Sequence, residues 1–208
     1  MVDVHKIMGR LSHKRPVFHS EADFQHAFAW ELHTAMPECT IRLELPLDVG
    51  GKRLHLDLWA STAGTWAAIE LKYKTRALSV EVAGERFLLS GQAAQNLARY
   101  DFIKDIERLE RITTIRHGAK GYAVFLTNDS AYWKRPRNAA PVDAAYRIHD
   151  GRVILGHVAW SGRASSGTIK GREEPIDLIG EYRIAWHGYS SPSPSNHGSL
   201  RYAVVAVA

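Results

Sequence analysis

Three consecutive runs of alternating apolar and polar residues constrain the fold of this chain more than any other feature. They cover residues 40–48, 52–60 and 65–73, and the short links between them contain Gly50-Gly51 and Ala63-Gly64. Alternation with a period of two predicts β-strands. Links this short and rich in glycine predict that each strand folds back on the previous one as an antiparallel hairpin.

A helical pattern lies on each side of these three strands. Ser20 is a good N-cap with Asp23 at the capping-box spacing, apolar residues recur at helical spacing after it, and Pro37 ends the run. The longest helical pattern covers about residues 90–112, and the apolar stretch 120–127 predicts a buried strand. The predicted order is therefore α-β-β-β-α-β, which indicates an α/β fold.

The rest of the chain gives weaker signals. The basic stretch 1–19 is predicted to be irregular, and residues 78–89 to form a turn region. Further strands are predicted for residues 152–160, 175–186 and 200–207. A mobile loop is predicted for residues 188–199. No linker is evident, so we expect one domain over residues 1–208, with a core at about 20–127 and a β-rich C-terminal extension at about 128–208.

Composition sets broad limits on the class of protein. A length of 208 residues, a net charge of +5 and a pI near 9.4 suit a globular domain and permit an anionic partner such as nucleic acid. Cys39 is the only cysteine, which excludes an internal disulfide and favours a cytoplasmic location. No run of about 18 apolar residues occurs, so a membrane protein is not expected.

The second hairpin carries two acids and a lysine that are predicted to converge. With Ala63-Gly64 as a two-residue turn, Asp57 faces Glu70 across the ladder. In the same register His55 faces Lys72, on the same face of the sheet as Glu70. Two carboxylates about 5 Å apart repel each other unless a cation lies between them, and oxygen ligands suit Mg²⁺. A slip of one residue would turn Asp57 to the other face, and solvated surface charges are the alternative.

Together these residues resemble the PD-(D/E)XK nuclease superfamily. The pattern Asp57-x12-Glu70-Leu71-Lys72, preceded by a helix that bears Glu21, is similar to the superfamily motif, although Leu56 stands where a proline is common. The resemblance covers about residues 20–127 and implies a restriction-endonuclease-like core, with a mixed central sheet flanked by helices. It also implies a magnesium-dependent deoxyribonuclease in which Asp57 and Glu70 hold Mg²⁺, with Mn²⁺ as an alternative metal. Lys72 would then assist catalysis, and Glu21 would supply a further acidic group.

Two helices offer additional candidates, each with an alternative. Glu31 lies on the same helix stripe as Glu21, so either could be the helix acid. On the long helix, Gln92 and Tyr100 resemble a glutamine and a tyrosine that line some nuclease sites, but a solvated glutamine and a core tyrosine fit equally well. Asp105, with neighbouring charged residues, is expected to be a helix-surface charge.

Basic residues near the motif and near Trp133 and Pro136 are candidates for contacts with nucleic acid, DNA rather than RNA. Interleaved basic and aromatic residues suit phosphate contacts and base stacking, although such residues are often only a solvated loop. The candidates are Lys74, Arg76, Lys134, Arg135 and Arg137.

Other classes of function were compared with this one. The lysine of a phosphate-binding P-loop is missing after Gly167, and neither an H-E-x-x-H helix nor a G-x-S-x-G elbow occurs. The main alternative is a catalytically inactive nucleic-acid-binding or protein-interaction module on the same fold. A different enzyme on residues 128–208 is a further alternative, and nothing in the sequence excludes a homodimer or decides between endonuclease and exonuclease.

Overall fold

A mixed sheet of six strands forms the centre of the molecule. The computed structural model describes residues 2–49, 51–136 and 140–208. Its helices are α1 (Val4–Lys14), α2 (Glu21–Ala35), α3 (Gln95–Ile115) and α4 (Ser166–Ile169). Its strands are β1 (Thr40–Val49), β2 (Lys52–Thr62), β3 (Thr65–Lys74), β4 (Leu78–Val82), β5 (Glu85–Leu89), β6 (Ala119–Thr127), β7 (Val153–Val158), β8 (Ile176–Arg183), β9 (Trp186–Ser190) and β10 (Leu200–Val207).

The strand order in the central sheet is β1-β2-β3-β6-β10-β9. β3 and β6 are parallel, whereas the other neighbouring strands are antiparallel. The predicted α/β fold with a mixed central sheet is therefore confirmed. The parallel pair requires a crossover, and α3 lies within the segment that makes it, as in a β-α-β unit.

Helices cover both faces of the sheet. On one face α1 and α2 pack against a cluster that includes Ile69 and Leu71 of β3. On the other face α3 packs against Ala68 of the same strand, together with residues from β7 and β8. Since side chains alternate along a strand, Glu70 and Lys72 lie on the α3 side.

The N-terminal stretch is a helix, and the prediction that residues 1–19 are irregular was wrong for residues 4–14. Val4, Ile7, Met8 and Leu11 of α1 are buried and recur at helical spacing. The basic residues of the stretch lie between them in sequence and concealed this narrow apolar stripe. Burial of that stripe against α2 and β9 fixes the helix.

The C-terminal strands are part of the central sheet, so the expectation of an appended extension was wrong for β9 and β10. β10 pairs with β6 from Arg201↔Thr127 to Val207↔Gly121. The one strand predicted over residues 175–186 is interrupted after Arg183, and the predicted turn region 78–89 is the hairpin β4-β5. The sequence did not reveal the pairing of β10 with β6, because pairing between distant segments leaves no local signal.

None of the helices that the structure describes is long and apolar enough to cross a membrane.

Gly121 marks the tightest contact between the sheet and α3. A Cβ atom at this position would lie 3.0 Å from both Leu109 Cβ and Val207 Cβ. We therefore expect Gly121→Ala to lower the free energy of unfolding by about 1–3 kcal/mol through overpacking. The matched control is Gly9→Ala in α1, where a Cβ meets nothing within 4 Å, and which should stabilise the protein by about 0.5–1 kcal/mol. Urea denaturation of both variants measures this, and equal stability of the two would contradict the packing described.

Candidate active site

The candidate site lies where β2 and β3 separate. The two strands pair from Thr62↔Thr65, next to the turn at Ala63-Gly64, as far as Leu58↔Ile69. The predicted turn and register are therefore confirmed over this stretch. Among the described residues no further pair joins the two strands, and the Leu71 amide donates instead to Asp57 Oδ2 at 2.7 Å. The Asp57 carboxylate thus takes the place of a ladder hydrogen bond. We call this point, where β2 and β3 separate next to Asp57, the fork.

The predicted pairings of Asp57 with Glu70 and of His55 with Lys72 are wrong, because the ladder between β2 and β3 ends at Leu58↔Ile69, before both of them. His55 is exposed and pairs with Pro46 of β1. β2 stays with β1 beyond the fork, whereas β3 stays with β6.

A local irregularity in β1 and β2 causes this separation. The ladder between them omits Glu44 and Asp57, and Glu44 has a positive φ of 49°. Gln25 of α2 supports the irregularity, since its Nε2 donates to Glu44 Oε1 and to the Asp57 carbonyl oxygen, both at 2.9 Å. Leu58 packs on the α2 side of the sheet and Leu56 on the α3 side, although strand alternation would place them together. The regular alternation of side chains in β2 is therefore interrupted at Asp57.

Two residues of α3 complete the cluster on the other side of the fork. Arg108 donates to Glu70 Oε1 at 2.8 Å, and Lys72 Nζ lies 3.0 Å from Asp105 Oδ2. Glu70 is 2% exposed and Asp105 is 3% exposed. The expectation that Asp105 is a helix-surface charge was therefore wrong. The sequence analysis also missed Arg108, whose only signal is its position one turn after Asp105 on a largely buried helix.

Glu21 joins the cluster, and Glu31 does not. Glu21 is the first residue of α2, and its Oε2 accepts from the Tyr73 amide at 2.7 Å and lies 3.6 Å from Lys74 Nζ. Glu31 forms ion pairs with α1 instead, to Arg10 at 2.9 Å and to Lys14 at 2.7 Å. Of the two helix acids, Glu21 is the one beside the fork.

The cluster, in which Glu70 and Asp105 are buried and the other groups are half-buried, has more negative than positive groups. Asp57, Glu70 and Asp105 lie opposite Lys72 and Arg108, while Glu21 and Lys74 offset each other. Burial and the charges of Asp105 and Asp57 raise the pKa of Glu70 to about 9, although Arg108 acts against this. Burial also raises the pKa of Asp57, against the hydrogen bond from Leu71. The site therefore holds an excess of one carboxylate that either a proton or a cation can neutralise.

Asp57 and Glu70 are the groups best suited to hold a cation. Asp57 Oδ1 and Glu70 Oε2 make no hydrogen bond to any residue that the structure describes. No group of three or more His, Cys, Asp or Glu side chains within the described ranges is arranged as a metal site. Two carboxylates nevertheless fit Mg²⁺, which keeps several waters and often takes only one or two protein carboxylates.

The two candidates on the long helix do not reach the fork as predicted. Gln92 precedes α3, and its backbone and side chain hydrogen-bond to the backbone of Thr75 at 2.8 and 3.2 Å. Tyr100 is buried on the other side of α3, where its hydroxyl donates to the Glu174 carbonyl and its ring stacks on Trp160. The two residues do not form one face because the helix begins only at Gln95.

The basic candidates divide into two groups. Lys74 lies beside Glu21, as described above. Arg76, Lys134 and Arg135 lie together in a groove further along the molecule. We call this groove the basic groove, and it is lined by Arg76, Gln95, Asp129, Lys134, Arg135 and Arg147. Arg137 lies outside the residues that the structure describes.

Comparison with known proteins gives no match for this chain, whether the comparison is with protein-family models, with curated proteins or with solved structures.

The raised pKa of Glu70 predicts an unusual dependence of stability on pH. Between the ordinary value of 4.5 and about 9, the folded protein holds a proton on this carboxyl that the unfolded chain releases. Stability should therefore fall as pH rises through this window, by up to about 1.4 kcal/mol per pH unit. Glu70→Gln should flatten the profile and stabilise the metal-free protein at the alkaline end.

The measurement is urea denaturation in EDTA at a series of pH values across that window. Glu81→Gln, which removes an exposed carboxylate from β4, is the matched control and should retain the pH profile of the unchanged protein. If Glu70→Gln and Glu81→Gln give the same profile, Glu70 does not carry the excess charge.

Proposed function

We propose that this protein is a metal-dependent nuclease that hydrolyses phosphodiester bonds, in DNA rather than RNA. The observation that carries the proposal is the excess of carboxylates over cationic groups at the fork, where Asp105 and Asp57 raise the pKa of Glu70 beside Lys72 and Arg108. A purely structural ion-pair cluster would gain nothing from such an imbalance, because an uncompensated buried charge lowers stability.

The charges of the cluster match the proposed substrate once a divalent cation is included. Asp57, Glu70 and Asp105 with Lys72 and Arg108 give one excess negative charge when all five are ionised. A divalent cation changes that excess to one positive charge, which balances the single negative charge of one phosphodiester. Complementarity of this kind favours binding of the phosphate at the fork.

Asp57 and Glu70 would hold Mg²⁺ or Mn²⁺. A bound cation of this type supplies Lewis acidity toward a phosphate oxygen and lowers the pKa of a bound water. Asp57 is fixed for this role by the Leu71 amide, and Glu70 is fixed by Arg108. The oxygen that each carboxylate leaves without a hydrogen bond is the one available to a cation.

Lys72 would act through its charge and not as a base. Burial alone would lower the pKa of Lys72. The charge and hydrogen bond of Asp105, together with the charges of Glu21 and Asp57, outweigh burial and hold that pKa above its usual range. The ammonium group therefore stays protonated at neutral pH, where it can stabilise negative charge that develops on the phosphate. Asp105 is the positioning residue for this group, and Glu21 adds an acidic group at the edge of the cluster.

The order of elements supports a restriction-endonuclease-like core. α2, β1, β2, β3, α3 and β6 follow one another as in the resemblance to the PD-(D/E)XK superfamily, with β4-β5 as an inserted hairpin. The two carboxylates and Lys72 lie on the second and third strands of this series, which is where that resemblance implies them.

One observation favours a second candidate, a non-catalytic nucleic-acid-binding module. Arg108 already neutralises Glu70 at 2.8 Å, and Asp105 already pairs with Lys72 at 3.0 Å. A module of this kind would bind nucleic acid equally well with and without divalent cations. It would also bind Mg²⁺ no more tightly after Arg108→Gln. A nuclease would bind Mg²⁺ more tightly in this variant, because the cation would no longer share the Glu70 carboxylate with Arg108.

The decisive experiment is cleavage of linear, circular and single-stranded DNA and of RNA, each with Mg²⁺, Mn²⁺ or EDTA. We expect Mg²⁺-dependent cleavage of DNA that falls at least about 100-fold in Asp57→Ala, Glu70→Ala and Lys72→Ala, since each removes a charge that acts on the transition state. Glu81→Gln should cleave as the unchanged protein does. Circular dichroism checks that each variant is folded, and undiminished Mg²⁺-dependent cleavage by folded Glu70→Ala would refute the proposal.

A further inference from the structure

The basic groove opens at the edge of the sheet where the two parallel strands end. Arg76 follows the end of β3, and Lys134 and Arg135 lie in the segment that follows β6. The carboxyl ends of parallel strands meet at one edge of a sheet, and crevices outside those ends are common sites for ligands. The groove is thus placed at the end of β3, the strand that also forms one side of the fork.

Buried polar contacts hold the wall of the groove in place. Asn128 is 1% exposed, and its side chain accepts from the Arg76 amide at 2.7 Å and donates to the carbonyls of Arg76 and His197. Asp129 accepts from the Ala131 amide at 2.9 Å and from Gln95 Nε2 at 3.0 Å. These bonds fix the backbone on three sides of the groove. Binding of a ligand therefore requires little further ordering of the backbone.

The groove carries positive charge that its own surroundings do not neutralise. Arg76, Lys134 and Arg135 are exposed, and none of them forms an ion pair with a residue in the described ranges. Arg147 pairs with Asp143 at 2.8 Å, and Asp143 also pairs with Arg99 at 2.6 Å. The buried carboxylate of Asp129 offsets at most one of the three exposed positive charges. Three cations therefore face solvent together, at a cost in mutual repulsion that a polyanion would relieve.

The half-buried His149 responds to the same positive charge. Burial, and then the charges of Arg135, Arg152 and Arg147, lower the pKa of His149. Only Asp150 acts in the opposite direction among the residues that affect this imidazole most.

A nucleic-acid strand that passes over the fork can also reach the basic groove. Arg76 lies four residues after Lys72, so their Cα atoms are at most about 14 Å apart. Successive nucleotides of duplex DNA rise about 3.4 Å along each strand. A strand whose phosphate lies at the fork would therefore bring another phosphate to the groove within a few nucleotides.

We propose that the basic groove binds the phosphate backbone of a nucleic-acid strand whose neighbouring phosphate lies at the fork, with Arg76, Lys134 and Arg135 as the contacting cations. This inference rests on the proposed function for its choice of polyanion. Contacts of this type fix the register of the strand and carry no sequence information.

The test is binding of a labelled single-stranded oligonucleotide, and of its duplex, in EDTA so that binding is separate from cleavage. Fluorescence anisotropy between about 50 and 200 mM salt gives the slope of log affinity against log salt. Replacement of Arg76, Lys134 and Arg135 by Gln should lower this slope by about 2–3 and weaken binding at least about tenfold at the higher salt. The matched control replaces Lys6, Lys170 and Arg183 by Gln, since these are exposed cations outside the groove.

Equal binding by the groove variant and the control variant overturns the inference. Tighter binding of ATP than of either oligonucleotide would also overturn it, because the groove would then be a site for free nucleotides.

The outcomes separate this inference from the nuclease proposal. If the unchanged protein never cleaves but the groove variant loses binding, the inference about the groove is supported and the nuclease proposal is refuted. If Glu70→Ala abolishes cleavage while the groove variant binds and cleaves normally, the groove fails alone. Lys134→Glu, a single exposed change, provides the same readout if the triple variant is unstable.

Discussion

The hydrogen bond from the Leu71 amide to the Asp57 carboxylate is the contact on which the candidate site depends. It occupies a position where two paired strands would otherwise continue their ladder. Because the side chain satisfies the amide, β2 can leave β3 without a buried unpaired donor, which would cost about 1–3 kcal/mol. The fork that results keeps one oxygen of Asp57 free and gives Glu70 and Lys72 space on the α3 side.

The fork is supported from both layers of helices. Gln25 of α2 binds the backbone of Asp57 from one side, and Glu21 of the same helix binds the Tyr73 amide further along β3. From the other side, α3 brings Asp105 and Arg108 to the lysine and glutamate of the strand. A cluster of charged groups can be buried here because most of its members hydrogen-bond to the backbone or to each other. The excess carboxylate that remains is the feature on which the proposal of a bound cation rests.

The end of β6 connects this cluster to the C-terminal part of the chain. Asn128 joins Arg76 to the segment before β10, and Arg99 of α3 pairs with the buried Asp143 at 2.6 Å. β10 then completes the sheet beside β6. The C-terminal residues thus help to shape the edge of the sheet where the proposed substrate strand would lie.

The sequence by itself determined the local elements. Ser20 caps α2 by accepting from the Asp23 amide, and Ala63-Gly64 forms the turn that sets the register of the hairpin. These features depend on residues close in the chain, so their patterns are visible without a structure. The register in turn brought Asp57 and Glu70 to the same region.

Only the tertiary structure decided which distant groups joined them. Glu21 and Glu31 have equivalent positions on the helix stripe. Glu31 pairs with α1, whereas Glu21 accepts a hydrogen bond from the backbone near the end of β3. Asp105 and Arg108 belong to the cluster because α3 crosses β3 at that point, whereas Tyr100 contacts Glu174 and Trp160 in the C-terminal part of the chain. Burial, and with it the pKa of Glu70, arises from this packing of separate segments, which no local pattern encodes.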